Sequence, residues 1–143
     1  MASADTGPKA LTTLLKMRAF GLRELKIKVD AERAVAAVRT ARRTLGSRAD
    51  LRVDANMAWS AADAGGFVEQ LMELGVHWFE QPVGADDLTT MARLVERSGA
   101  DIVADESFTT RSSLESLVAA RAVTGVNARI SKCGGLIATQ ARC

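Results

Sequence analysis

The sequence has only two cysteines, Cys133 and Cys143, and no CxxC pair. That scarcity argues against a disulfide-stapled secreted domain and fits a reducing compartment, so a cytoplasmic protein is expected. Neither sign of charge dominates: 19 Lys plus Arg stand against 17 Asp plus Glu, a net +2. So close a balance gives no reason to expect a nucleic-acid or acidic-membrane partner. No apolar run approaches the roughly 20 residues that a membrane span needs. No glycine-rich phosphate loop of the GxGxxG or GxxxxGK type follows the first strand, which weakens a doubly wound nucleotide-binding reading. The Gly134–Gly135 pair reads instead as a tight turn. The opening MASADTGP lacks the basic and apolar regions of a signal peptide, and residues 1–9 are expected to form a disordered tail.

What is present is the profile of a globular domain. The chain has 143 residues, 48% of them apolar and 25% charged, enough for one domain with a real core. Helical and strand patterns alternate strictly. ALTTLLKMRAFG ends on Gly21, a usual helix stop. The strand LKIKV follows, then the helix DAERAVAAVRTARRTLG and the strand DLRVDAN. The next helix begins near Ser60 and Asp63, spaced like a capping box. VHWFEQP is a strand stopped by Pro82. An amphipathic helix, the strand DIVADES and another helix lead to GVNARISKCGG, a strand running into a glycine turn, and LIATQARC opens a last helix. Such alternation predicts an α/β fold of parallel βα repeats with right-handed crossovers, about five strands in all, in a single domain over residues 10–143.

A charge repeat runs through this pattern. The intervals Lys28–Asp54, Asp54–Glu80, Glu80–Asp105 and Asp105–Lys132 are 26, 26, 25 and 27 residues. That is close to the ~31 residues of one βα unit in a ~250-residue, eight-stranded barrel. Each strand delivers an ionisable group at its carboxyl end, the end where α/β folds bind ligands. An acid after a strand is often only the N-cap of the next helix. Here Ser60, Asp86 or Asp87, and Thr109 or Thr110 lie nearer the helix starts. That frees Asp54, Glu80 and Asp105, expected at equivalent depth on three consecutive strands. Three gathered carboxylates repel one another unless a cation sits among them. An all-oxygen set favours Mg²⁺ or Mn²⁺. Zinc fits poorly, because the sole histidine, His77, is turned from Glu80 by strand alternation.

The lysines pose a question of direction. In ELKIKVDA, Leu25, Ile27 and Val29 share one face and Lys26 and Lys28 the other. At an exposed edge the lysines would point into water. Inside a parallel sheet they would point where lone charges are expensive. The acidic trio favours the inward reading. In a closed eight-stranded barrel the Lys28 and Lys132 strands lie half a circle apart, with the acids between them.

KIKV, VDANMAW, FEQP, ADES and SKCGG, in this order and spacing, resemble the muconate lactonizing enzyme and mandelate racemase family of the enolase superfamily. The resemblance covers roughly residues 10 to 140. It implies part of a TIM-like (β/α)₇β barrel, with the capping domain and remaining strands outside the matched stretch. It implies Mg²⁺ binding by Asp54, Glu80 and Asp105. Lys28 and Lys132 are the implied acid/base groups on opposite faces of the substrate, Lys26 an electrostatic aid, and Asn56 a support for the metal or a substrate oxygen. Glu106 is expected off the metal. The implied reaction removes a proton from the carbon next to a carboxylate through an enediolate. The dipeptide epimerases, N-acylamino acid racemases and muconate cycloisomerases do this on small carboxylates. A homo-oligomer is expected, and so is the alternative of an inactive fragment that keeps the fold with an unassembled site. Cys133 is expected to pack in the core. Trp59 is expected to staple the next helix, and Trp78 to share the Glu80 face.

Overall fold

The computed structural model describes residues 2–3 and 7–142. Its elements alternate along the chain: β1 (Ala2–Ser3), α1 (Pro8–Ala19), β2 (Glu24–Lys28), α2 (Ala34–Leu45), β3 (Asp50–Asp54), α3 (Ala64–Glu73), β4 (Trp78–Glu80), α4 (Leu88–Ser98), β5 (Asp101–Ala104), α5 (Arg111–Ala119), β6 (Gly125–Val126) and α6 (Leu136–Arg142). The strands form one parallel sheet in sequence order, β1 to β6. All five expected strands are there, and β1 adds a short sixth.

Local chemistry sets the helix starts. Pro8 occupies the first turn of α1, where its missing N–H is not needed. The helix therefore begins two residues before the expected Ala10. The expected tail is shorter than nine residues, since Ala2 and Ser3 also pair with Ile27 and Lys28. Asp87 caps α4 by accepting the Thr90 N–H at 3.0 Å. Thr110 caps α5 in a reciprocal box with Ser113. The Ser60–Asp63 pair forms, with Ser60 Oγ donating to Asp63 Oδ2 at 2.6 Å, but it closes a turn before α3, which starts at Ala64. None of Asp54, Glu80 and Asp105 caps a helix.

The core lies between the outer face of the sheet and the helices. Leu25, Ile27, Leu51, Val53, Phe79 and Ile102 from the strands meet Val38, Ala41, Val68, Leu71, Met91 and Leu117 from the helices, all buried. Each of these side chains larger than alanine contributes roughly 1.5–3 kcal/mol by leaving water. Trp59 joins them, stacked on Phe67 of α3 at 5.1 Å and edge-on to Phe79 at 6.3 Å, which is the staple expected for it. Cys133 is fully buried in the same cluster; Cys143 lies outside the described residues. Arg42 ties the lower ends together, donating to the carbonyls of Leu74, Gly75, Gly46, Ser47 and Ala49 at 2.7–3.2 Å. Gly75 is required beside it: φ is +80°, and a Cβ would stand 2.9 Å from Arg42 Nη2. No helix among the described residues is long and apolar enough to cross a membrane.

The opposite, inner face of the sheet carries the polar side chains. Register stacks Lys26, Arg52 and Trp78 in one row and Lys28, Asp54 and Glu80 in the next. The Lys28 row lies toward the carboxyl ends of the strands. Two expectations about depth need correction. Glu80 is level with Val103, so Asp105 stands two residues beyond the row of Asp54 and Glu80. β6 ends at Val126 rather than running on through Lys132. Beyond Asn127, whose N–H still bonds Ala104 O, the amides of Arg129, Lys132, Cys133 and Gly135 turn to local carbonyls. These turn bonds end the ladder and leave Lys132 in a turn.

Candidate active site

Strand alternation forces Lys26 and Lys28 to the inner face once Leu25 and Ile27 enter the core. Lys26 Nζ lies 2.6 Å from Glu80 Oε2 and 2.9 Å from Asp54 Oδ2, so one ammonium bridges two carboxylates that are each 1% exposed. Asn127 Nδ2 donates to the other Glu80 oxygen at 2.9 Å. Asp54 Oδ1 accepts the Asn56 N–H at 3.2 Å. Lys28 Nζ donates to Asn56 Oδ1 at 2.8 Å and stands 3.9 Å from Asp54 Oδ2.

Asp105, fully buried, faces a second set of cations. Lys132 Nζ reaches its Oδ1 at 3.3 Å and Arg129 pairs with its Oδ2. Glu106 joins this set. Its Oε1 accepts from Asn56 Nδ2 at 3.3 Å and lies 3.7 Å from Arg129 and 3.9 Å from Lys132. Asn56 thus links the two groups, touching Lys28 with its carbonyl and Glu106 with its amide. Its backbone is left-handed, φ +43°, as is that of Met57 at +65° and Gln81 at +40°. Asn tolerates that region better than most residues, and such backbones cluster where function constrains the chain.

Lys28, Asp54 and Glu80 end their strands, Lys26 lies two residues before Lys28, and Lys132 sits in the turn beyond β6. They fall into two touching sets, not one ring: Lys26, Lys28, Asp54 and Glu80 in the first, Lys132 and Asp105 in the second, with Asn56 between. Asp54 and Glu80 converge on one positive charge, the Lys26 ammonium. Asp105 is engaged elsewhere. Among the described residues no three acidic, histidine or cysteine side chains are gathered so as to hold a metal ion. His77 is exposed, off the site.

Three participants were missed in the sequence. Asn127 and Arg129 lie in the irregular stretch after β6, where no periodicity marks a direction. Gln81 follows Glu80 and is fully buried. Its Oε1 accepts the N–H groups of Asp105 and Ser107, both at 3.0 Å, and its Nε2 donates to Val83 O and Ser107 Oγ. A polar residue between a strand acid and Pro82 was the available signal. Trp78 shares the inner face as expected, its ring centroid 5.8 Å from both Lys26 Nζ and the Arg52 guanidinium. Beside it runs a cleft of about 390 Å³ lined by Lys26, Trp78, Glu80, Val103, Val126 and Asn127, among others.

The family model described as enolase C-terminal domain-like matches residues 10–142. This chain belongs to that family. An L-Ala-D/L-amino acid epimerase of Maribacter sp. is 36% identical over 125 residues, which is 87% of this chain and 36% of that protein. A chloromuconate cycloisomerase of Delftia acidovorans is 31% identical over 142 residues, 97% of this chain and 38% of that protein. Among solved structures, a dipeptide epimerase from Cytophaga hutchinsonii, complexed with Mg and the dipeptide D-Ala-L-Val, superposes with a TM-score of 0.88. It is 25% identical, and the match covers 99% of this chain and 39% of that one. The chain spans little more than a third of the curated relatives described here. Its parallel βα repeats are part of the TIM-like barrel of this enolase-superfamily domain.

Proposed function

We propose that this chain carries the acid/base and metal-holding segment of a Mg²⁺-dependent isomerase. Its reaction takes a proton from the carbon next to the carboxylate of a small substrate. The observation that carries this reading is the inner-face cluster. Lys28 belongs to the set of Asp54 and Glu80 and Lys132 to that of Asp105, each hydrogen-bonded or ion-paired to its neighbours. The epimerase and cycloisomerase names of the relatives, and the Mg and dipeptide of the Cytophaga protein, support it.

Asp54, Glu80 and Asp105 would hold the Mg²⁺. When bound, the ion supplies electrostatic stabilisation for the negative charge that grows on the substrate carboxylate. The protein's part is positional. The sheet fixes Lys28 and Asp54 in register, and Gln81 fixes the backbone at Asp105. One lysine takes the α-proton and the other delivers a proton to the opposite face, which inverts the centre. Where one lysine only shields charge, the same frame serves a cycloisomerase. The half-exposed Trp78 and the cleft beside it offer an apolar wall for a substrate side chain.

The test is α-proton exchange into deuterated water, with Mg²⁺, on L-Ala-containing dipeptides, N-acylamino acids and cis,cis-muconate. Exchange on one class identifies the substrate type. A second reading, a chain that binds Mg²⁺ without turnover, is favoured by the engagement of Asp105 with Arg129 and Lys132. It predicts no exchange but a rise in melting temperature with Mg²⁺. Absence of both effects removes the metal-dependent reading.

A further inference from the structure

The helix side of the sheet carries a groove of about 510 Å³ between α3 and α4. Its floor is apolar, made by Val68 and Met72 of α3 and Leu94 of α4. Its two rims carry opposite charge. Glu69 and Glu73, one helical turn apart, line the α3 side, and Arg93 and Arg97, spaced in the same way, line the α4 side. All four are exposed. The Arg93 guanidinium donates to Thr90 Oγ1 at 2.9 Å, and among the described residues no ion pair crosses the groove. The two helices follow adjacent parallel strands and so run in the same direction.

We propose that this groove docks a second copy of the chain, about a two-fold axis lying along the groove. Charge selects both the partner and the axis. A two-fold interface sets a patch against its own copy. Rotation about an axis along the groove lays α3 of one copy over α4 of the other, with the helices still running the same way. Each glutamate rim then meets an arginine rim, and symmetry makes the match twice. Rotation about an axis across the groove instead lays α3 on α3 and α4 on α4. That sets acid on acid and base on base, which costs affinity. In the favoured arrangement the four helices form a bundle whose centre is the two apolar floors. Exposed ion pairs add little energy by themselves. The floor side chains drive association by leaving water, and the rims fix the orientation. The groove lies on the helix side of the sheet, so the carboxylate cluster of the inner face stays open in both copies. The dimer therefore forms whether or not the proposed reaction occurs there.

Sedimentation velocity of the 143-residue chain, at up to about 100 µM, reads the association. A dimer is expected. A monomer throughout that range overturns the proposal and leaves the groove to another occupant. Two charge reversals then test the rims. Glu69→Arg with Glu73→Arg, and separately Arg93→Glu with Arg97→Glu, each weaken the dimer by at least about a hundredfold, because like charges then face each other. An equimolar mixture of the two variants dimerises again, since one copy is basic on both rims and the other acidic on both. Association that neither reversal moves overturns the proposal, and is the behaviour expected of contacts through the exposed Phe20 or Ile137. A mixture that stays monomeric overturns it too. Glu69→Gln with Glu73→Gln reads the axis. Neutral rims weaken a dimer that lays α3 on α4 and tighten one that lays α3 on α3, so a tighter dimer overturns the axis. Should a reversal variant fail to fold by circular dichroism, this milder substitution decides the matter alone.

Discussion

The side-chain carbonyl of Gln81 accepts the backbone N–H of Asp105 at 3.0 Å. One strand tip thereby holds the next strand's acid in place from inside the protein. The same oxygen takes the Ser107 N–H, and the amide nitrogen donates to Val83 O and Ser107 Oγ. Gln81→Leu keeps the volume and strips these four bonds along with a longer one to Met91 Sδ. Buried donors left without acceptors cost about 1–3 kcal/mol each, so a loss of about 3 kcal/mol is expected in urea unfolding. Mg²⁺ affinity, read by calorimetry, falls with it because Asp105 loses its anchor.

Arg42 makes no contact with the site, yet the fold depends on it. Its guanidinium is the shared donor for five carbonyls at the ends of α2 and α3 and in the turns that follow. Arg42→Met lowers the unfolding free energy by about 3 kcal/mol. Arg42→Lys recovers little, since a point charge cannot reproduce the fork that reaches both ends. Metal affinity per folded molecule stays unchanged, which separates this residue from Gln81.

Lys28 and Lys132 serve opposite faces of the substrate in the proposed reaction. Lys28→Ala and Lys132→Ala each abolish inversion, with turnover down by roughly 10²–10⁴-fold, the usual worth of one acid/base group. Each variant keeps exchange of the α-proton from the epimer whose base remains. Mass spectrometry of both epimers in deuterated water reads this directly. Loss of exchange from both epimers in both variants argues against a base on each face.

At the start of α2, Asp30 accepts the Arg33 N–H at 2.8 Å and the Arg33 side chain at 2.5 and 2.9 Å. The bond from the Arg33 side chain, with the backbone bond next, holds the Asp30 carboxyl below its ordinary value. A lowered folded-state pKa stabilises the folded chain above the unfolded value of about 3.9. That stabilisation is lost as pH falls through the lower, folded value. Carbon-detected NMR titration finds Asp30 titrating below a free aspartate, and Arg33→Ala returns it toward the ordinary value.

The sequence by itself determined the alternation of helices and strands, because apolar periodicity of 2 and of 3.6 leaves little choice of element. It also determined that Lys26 and Lys28 turn away from the core, since Leu25 and Ile27 cannot. The near-constant interval of Lys28, Asp54, Glu80, Asp105 and Lys132 put these residues on successive units, and that follows from one chain repeating one motif. Pairings that cross units were decided only by tertiary structure. No local pattern says that Lys26 reaches over β3 to Glu80, 54 residues away, or that Asp105 stands two residues above the row of Glu80. Nor does one say that the chain after Val126 turns on itself and brings Arg129 and Lys132 to Asp105. Those outcomes depend on inter-strand register and on which cation wins each carboxylate, and both are settled by long-range packing and charge balance.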